Sequence, residues 1–206
     1  MFEHPGWQAA DILAKGRRIL ALEAVQDPGN VGTLLRSAAA FGFDGVLLCQ
    51  GVRGTHLPPK TLRASMGAAG RLPVAPVQDL PQALQQLRAR GVVCLAAALY
   101  HSRPLDEAPQ SYPDGLCAVI GSEGQGLTDA AVQACDMAVR IPMTDLVESL
   151  TPGLQAASCF GTSEVYNKVW TAHCIGCGWP KRLGPAAAWR ADFWKNTRTR
   201  PNCMAR

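Results

Sequence analysis

The chain has 206 residues, 48% of them apolar, enough for one domain with a sizeable core and an appendage. It contains no run of 18 apolar residues, which excludes a membrane-spanning helix, and its acid-bearing start "MFEHPGWQAADILAKGRR" lacks the apolar centre of a signal or transit peptide. The net charge of +4 says little about the whole: residues 1–150 hold 12 Lys/Arg against 14 Asp/Glu, whereas residues 151–206 hold 8 against 2.

Taken in order, strand-like runs appear at 19–25 (ILALEAV), 45–49 (GVLLC), 92–98 (VVCLAAA), 116–120 (LCAVI) and 137–141 (MAVRI). They are almost continuously apolar, as expected of parallel strands covered on both faces. Helix-like segments lie between them. Residues 30–42 have Asn30 in an N-cap position and Gly42 as a stop, 79–91 run from Asp79 to Gly91, and 128–136 start at Thr128. The stretch 50–77 is rich in Gly and Pro, with one short helix expected around "PKTLRASMGA". Alternating strands and helices predict an α/β fold: a mostly parallel sheet with helices on both faces. Eight cysteines without a secretory leader point to free thiols in a reducing compartment, the cytoplasm or an organelle interior.

Three stretches carry candidate chemistry. In "VQDPGNVGTLLRSAAAFGF" (25–43) a strand leads through a tight turn into a helix bearing Asn30 and Arg36. A strand–turn–helix with a solvated arginine is one reading. The other is that both side chains face a ligand at the carboxyl end of the strand, where open α/β sheets bind. In "AVIGSEGQGLT" (118–128) a buried strand enters three glycines around Glu123. The order and the late strand do not fit a dinucleotide fingerprint. In "VRIPMTDLVESL" (139–150), Ser149 either caps a helix or lines the same crevice.

Together, "QDPGNVGTLLRSAAAFG", "VIGSEGQGL" and "IPMTDLVESL", with "KTLRASMGAAGRLPV" between them, resemble the motifs of the SpoU/TrmH RNA ribose 2′-O-methyltransferases, knotted α/β enzymes of the SPOUT superfamily. The resemblance covers residues 19–150. It implies S-adenosylmethionine as cofactor, structured RNA (tRNA or rRNA) as partner, and a homodimer. It also implies a C-terminal trefoil knot. By the same resemblance Arg36, Asn30 and Glu123 are catalytic, with Arg36 clamping phosphate and held by Glu123 and Asn30. Leu99, Gly121, Ile141, Met143, Ser149 and Leu150 then hold the cofactor. Two further readings stay open: an RNA-binding or assembly module that keeps the fold but not the turnover, and an ordinary nucleotide-binding α/β enzyme. Donor binding separates the first of these from the enzyme.

The organisation expected is a lead segment at 1–18, the methyltransferase domain at 19–150 and an atypical tail at 151–206. In the family the third motif continues Ser-Leu-Asn and then an apolar helix; here Ser149-Leu150 is followed by Thr151-Pro152. One extra A before the Thr151 codon makes that codon AAC, for Asn. The following codons then permit Ala-Gly-Val-Ala-Gly-Gly-Ile-Leu-Leu-Trp. The tail therefore reads as out of frame. Its "HCIGCGW", with His173, Cys174 and Cys177, lacks a second ligand pair, so no metal is expected. A short helix over 152–160 and poorly packed chain from about 171 are expected.

Overall fold

The computed structural model describes residues 6–51, 57–99, 101–108 and 112–140. The knot, the tail and its expected short helix, and the His/Cys motif lie outside the described residues, as do Ile141, Met143, Ser149 and Leu150.

Among the described residues seven strands form one sheet, ordered β3-β2-β1-β6-β4-β7-β5. They are β1 (Arg18–Glu23), β2 (Gly45–Cys49), β3 (Val74–Val77), β4 (Val93–Ala97), β5 (Arg103–Pro104), β6 (Leu116–Ile120) and β7 (Met137–Arg140). Every pairing is parallel. β2 and β6 are buried along their whole length, which is why these runs do not alternate in polarity. Two strands were not anticipated. β3 and β5 carry Pro76 and Pro104, and both form edges of the sheet, where a missing N–H leaves no ladder bond unmade.

Five α-helices are described: α1 (Ala9–Lys15), α2 (Pro28–Ala40), α3 (Pro59–Ala64), α4 (Leu80–Ala89) and α5 (Asp129–Ala134). Helix α1 occupies what reads in the sequence as a lead segment, and its Ile12 is buried. Helix α2 starts earlier than expected. Its N-cap is Asp27, whose carboxylate accepts from the backbone N–H of Asn30. The Asp-Pro-Gly-Asn "turn" is thus the helix's first turn, with Pro28 where a proline costs no hydrogen bond. Asp79 and Thr128 cap α4 and α5 as their residue types suggest. No described helix is long and apolar enough to cross a membrane.

Alternate residues of each strand feed two cores. Leu20, Leu22, Val46, Leu48, Leu116, Ala118 and Ile120 pack with Val31, Leu34, Leu35 and Ala38 of α2. Ile19, Ala21, Leu47, Cys117 and Val119 pack with Ile12 of α1, Leu80, Leu84 and Leu87 of α4, and Ala131 of α5. Helix α2 therefore covers one face, and α1, α4 and α5 the other. Each fully buried Leu contributes about 1.5–3 kcal/mol by leaving water.

This arrangement makes a switch point. From β1 the chain passes through α2 to β2, on one side. From its neighbour β6 it passes through α5 to β7, on the other side and over the opposite face. The connections diverge at the carboxyl ends of β1 and β6, and the gap between diverging connections is where open α/β sheets take ligands.

Candidate active site

Two segments meet at that gap. The first is the start of α2. Val31, Leu34, Leu35 and Ala38 face the core, so Thr33 and Arg36 are left exposed and Asn30 half-buried. Asn30, Thr33 and Arg36 follow at steps of three along the outer side of the helix. Helix α3 fixes its inner end. A Cβ on Gly32 would sit 2.5 Å from the Ala64 Cβ and 2.6 Å from the Thr61 carbonyl, so glycine permits the contact. The Thr61 hydroxyl donates to the Pro28 carbonyl at 2.9 Å. Lys60 Nζ lies 2.6 Å from Asp27 Oδ1, and this bond, with the Gly29 N–H, holds the Asp27 carboxyl below its ordinary range.

The second segment is the glycine loop after β6. Ser122 and Gly126 exchange backbone hydrogen bonds of 3.1 and 3.0 Å, and the Ser122 hydroxyl accepts from Gln125 N–H at 3.1 Å. The closure is so tight that a Cβ on Gly121 would lie 2.2 Å from the Gly126 carbonyl carbon. Gly126 itself has φ +70°, a left-handed value that suits glycine. The ring ends at Thr128, whose N–H and hydroxyl each donate to the buried carboxylate of Glu23 at 2.8 Å.

Across the gap, Asn30 Nδ2 donates to Glu123 Oε1 at 2.7 Å. Two of the three expected catalytic residues are therefore joined directly. Arg36 lies nearly two turns further along α2, and among the described residues it forms no hydrogen bond or ion pair with either. The expected clamp of Arg36 by Glu123 and Asn30 is replaced by the bond between those two. The reason lies in the helix: six residues separate Asn30 from Arg36, about 9 Å of rise and a third of a turn in azimuth. The guanidinium is left exposed, with its donors unspent.

Of the expected cofactor residues, Leu99 and Gly121 fall within the described part. They follow β4 and β6, which are adjacent strands, and β7 is the next strand along. Leu99 is 45% exposed, an apolar side chain left uncovered at the carboxyl edge of the sheet. An uncovered leucine beside a glycine-lined backbone suits the apolar face of a nucleoside.

Sequence reasoning missed Glu23 and the second role of Thr128. An acid in the apolar run "ILALEAV" was the visible signal. Among the described residues the cysteines offer no nucleophile. Cys49, Cys94, Cys117 and Cys135 are free and buried. Burial pushes the thiols of Cys49 and Cys135 up, and contact with Cys94 together with burial raises Cys117.

A parallel sheet with a glycine loop and a paired Asn and Glu at its switch point defines the open α/β class, whose ligands bind at the carboxyl edge. The particular family follows from comparison: residues 17–151 match the SpoU rRNA methylase family, and the chain belongs to it. The chain is 37% identical over 145 residues to the 23S rRNA (guanosine(2553)-2′-O)-methyltransferase RlmP of Bacillus subtilis, covering 70% of this chain and 57% of that protein. It is 39% identical over 138 residues to an uncharacterized tRNA/rRNA methyltransferase of Mycobacterium avium, covering 67% and 44%. The chain thus spans about half the length of the curated relatives it matches. Among solved structures, the AdoMet-bound rRNA methyltransferase of Sinorhizobium meliloti superposes with a TM-score of 0.69 at 25% identity, covering 79% of this chain and 60% of that one. A TrmH-family putative RNA methyltransferase of Porphyromonas gingivalis gives 0.63 at 34% identity, covering 71% and 59%.

Proposed function

We propose that this chain transfers a methyl group from S-adenosylmethionine to a ribose 2′-hydroxyl of structured RNA, tRNA or rRNA. The observation that carries the reading is the 2.7 Å bond from Asn30 to Glu123. It ties the first motif to the second over the switch point of a SpoU-family sheet. The names of the relatives, which act on rRNA or are described as tRNA/rRNA methyltransferases, support the substrate class.

In this reading the cofactor is held by Leu99 and Gly121, with Ile141, Met143, Ser149 and Leu150 completing the site from the third motif. When bound, it supplies a methyl group on an already activated sulfonium leaving group. The protein's task is then alignment of the acceptor hydroxyl and electrostatic support. Arg36 remains a cation, because a guanidinium does not release its proton in a protein. Exposed, and without a partner among the described residues, it binds the RNA phosphate next to the target ribose in a fork of donors. Glu123 and Asn30 hold the two motif loops in fixed register beneath that ribose. The working form is a homodimer, as the resemblance implies.

Residues 151–206 form, in this reading, an out-of-frame tail in place of the closing helix; the family match ends at residue 151. Sequencing the transcript across codon 150 decides this point. The chain as written then binds S-adenosylmethionine weakly or not at all, and a frame-corrected chain binds it well.

Methyl transfer from labelled S-adenosylmethionine to total tRNA and rRNA tests the function, with both versions of the chain. The expected product is label on one ribose, recovered as a dinucleotide after alkaline hydrolysis, since a 2′-O-methyl blocks attack on the adjacent phosphodiester. Label on a base, or none with the frame-corrected chain, overturns the proposal. RNA binding with neither donor binding nor transfer would mark the chain as a module that has lost turnover.

A further inference from the structure

Among the described residues Glu23 is the only buried charged side chain, 3% exposed at the end of β1. No cation pairs with it: the ion pairs among the described residues are Lys60–Asp27 and Arg88–Asp136. Both carboxylate oxygens are spent on one residue. Oε2 accepts from the Thr128 N–H and Oε1 from its hydroxyl, each at 2.8 Å. The same hydroxyl accepts from Ala131 N–H at 3.3 Å and so caps α5. Taking a carboxylate out of water is costly, and an apolar residue would extend the pattern of β1 without that cost. What the acid adds is a directional anchor for Thr128.

The position of Thr128 shows what that anchor controls. The even-numbered core residues of β1, Leu20 and Leu22, face α2, and the odd-numbered Ile19 and Ala21 face α5. Glu23 continues the odd series, on the α5 face. Glu123, five residues before Thr128, bonds Asn30 on α2, which covers the other face. The glycine loop therefore straddles the rim of the sheet. Internally it is stiff, closed by the Ser122–Gly126 bridge and by the absence of room at Gly121. A stiff ring is oriented by its two ends. One end is the bond to β6, and the other is Thr128 on Glu23.

We infer that Glu23 is a positioning residue: through Thr128 it sets the tilt of the glycine loop and so presents Glu123 to Asn30. The consequence for rate rests on the methyl-transfer reading; the consequence for the loop does not.

Two measurements on the full chain test this, the second also on the frame-corrected chain. In hydrogen exchange, Glu23→Gln leaves one Thr128 donor unsatisfied, and the amides of 122–128 should exchange about tenfold faster while those of β2 stay unchanged. Thr128→Val should do the same, and it serves if Glu23→Gln fails to fold; Thr128→Ser should restore protection. In steady-state methylation, Glu23→Gln should lower kcat about tenfold and change KM for RNA by less than about twofold. Combined with Glu123→Gln it should lower the rate no further than Glu123→Gln alone, because both act through one carboxylate. Unchanged exchange at 122–128, or additive losses in the double variant, overturns the inference. If no RNA is methylated by the frame-corrected chain without further substitution, the methyl-transfer reading fails and the exchange result alone decides the role of Glu23.

Discussion

The two ends of the sheet use their charged groups in opposite ways. At the amino ends, carboxylates close off strand starts. Asp44 Oδ2 accepts from the backbone N–H groups of Arg17 and Arg18 at 2.8 and 2.9 Å. Asp136 accepts from Cys94 N–H at 2.8 Å and from Arg88 Nε at 2.7 Å, while Arg88 also reaches the Ala134 carbonyl. At the carboxyl ends Leu99 is uncovered, and three of the four non-glycine residues with positive φ among those described, Ala24, Gln50 and His101, follow β1, β2 and β4. Each such residue costs about 1–2 kcal/mol. Backbone strain gathers at the carboxyl ends, around the Asn30–Glu123 and Glu23–Thr128 bonds, while the carboxylates at the amino ends close strand starts, as expected when one end binds and the other holds.

Substitutions sharpen this division. The largest effect should come from Arg36→Ala in a frame-corrected chain. Methyl transfer should fall by about 10²–10³ with donor affinity nearly intact, because the side chain acts on the RNA and the transition state. Calorimetry with S-adenosylmethionine beside a rate assay checks it, and equal loss of both would make Arg36 structural. Gly121→Ala comes next. Its Cβ would collide with the Gly126 backbone, so the loop must open and transfer should fall about 10²-fold with a smaller loss of melting temperature.

At the opposite end the order should reverse. Asp136→Ala orphans the Cys94 N–H and the Arg88 Nε–H, and should cost about 1–3 kcal/mol in denaturant unfolding with kcat unchanged. A drop in kcat there would blur the division between the ends. The smallest effect is that of Asp27. Its carboxyl is held below the ordinary range by Lys60, so its stabilising share is present above the ordinary Asp value of about 3.9 and fades as pH falls through the lower folded value. The pair is exposed, so Lys60→Met should slightly flatten the acid limb of the unfolding curve and leave the neutral region unchanged.

Much of this was legible in the residues. The apolar runs marked the central strands because both faces are covered, and Asp79 and Thr128 marked helix starts because their side chains cap. The Asn30–Glu123 meeting was implied by motif resemblance alone; no periodicity brings residues 30 and 123 together. What stayed hidden has physical reasons. Asn30 looks like a cap until Pro28 is recognised as a first-turn residue. The edge strands are too short and too rich in proline to announce themselves. Glu23 was absorbed into an apolar run, since a single acid does not break a strand pattern, and its partner lies 105 residues away.

The pairing of β1 with β6 also sets a timetable. Leu20 lies beside Ala118, about 98 residues further along. At ribosomal speeds of about 5–20 residues per second, one edge of β1 waits roughly 5–20 s for its neighbour to be synthesised. During that interval β2 can pair on the other side, but an apolar edge remains open to other chains. The nascent protein therefore carries an open apolar edge through nearly half of its own translation, and conceals it at the moment the two motif loops first come within reach of each other.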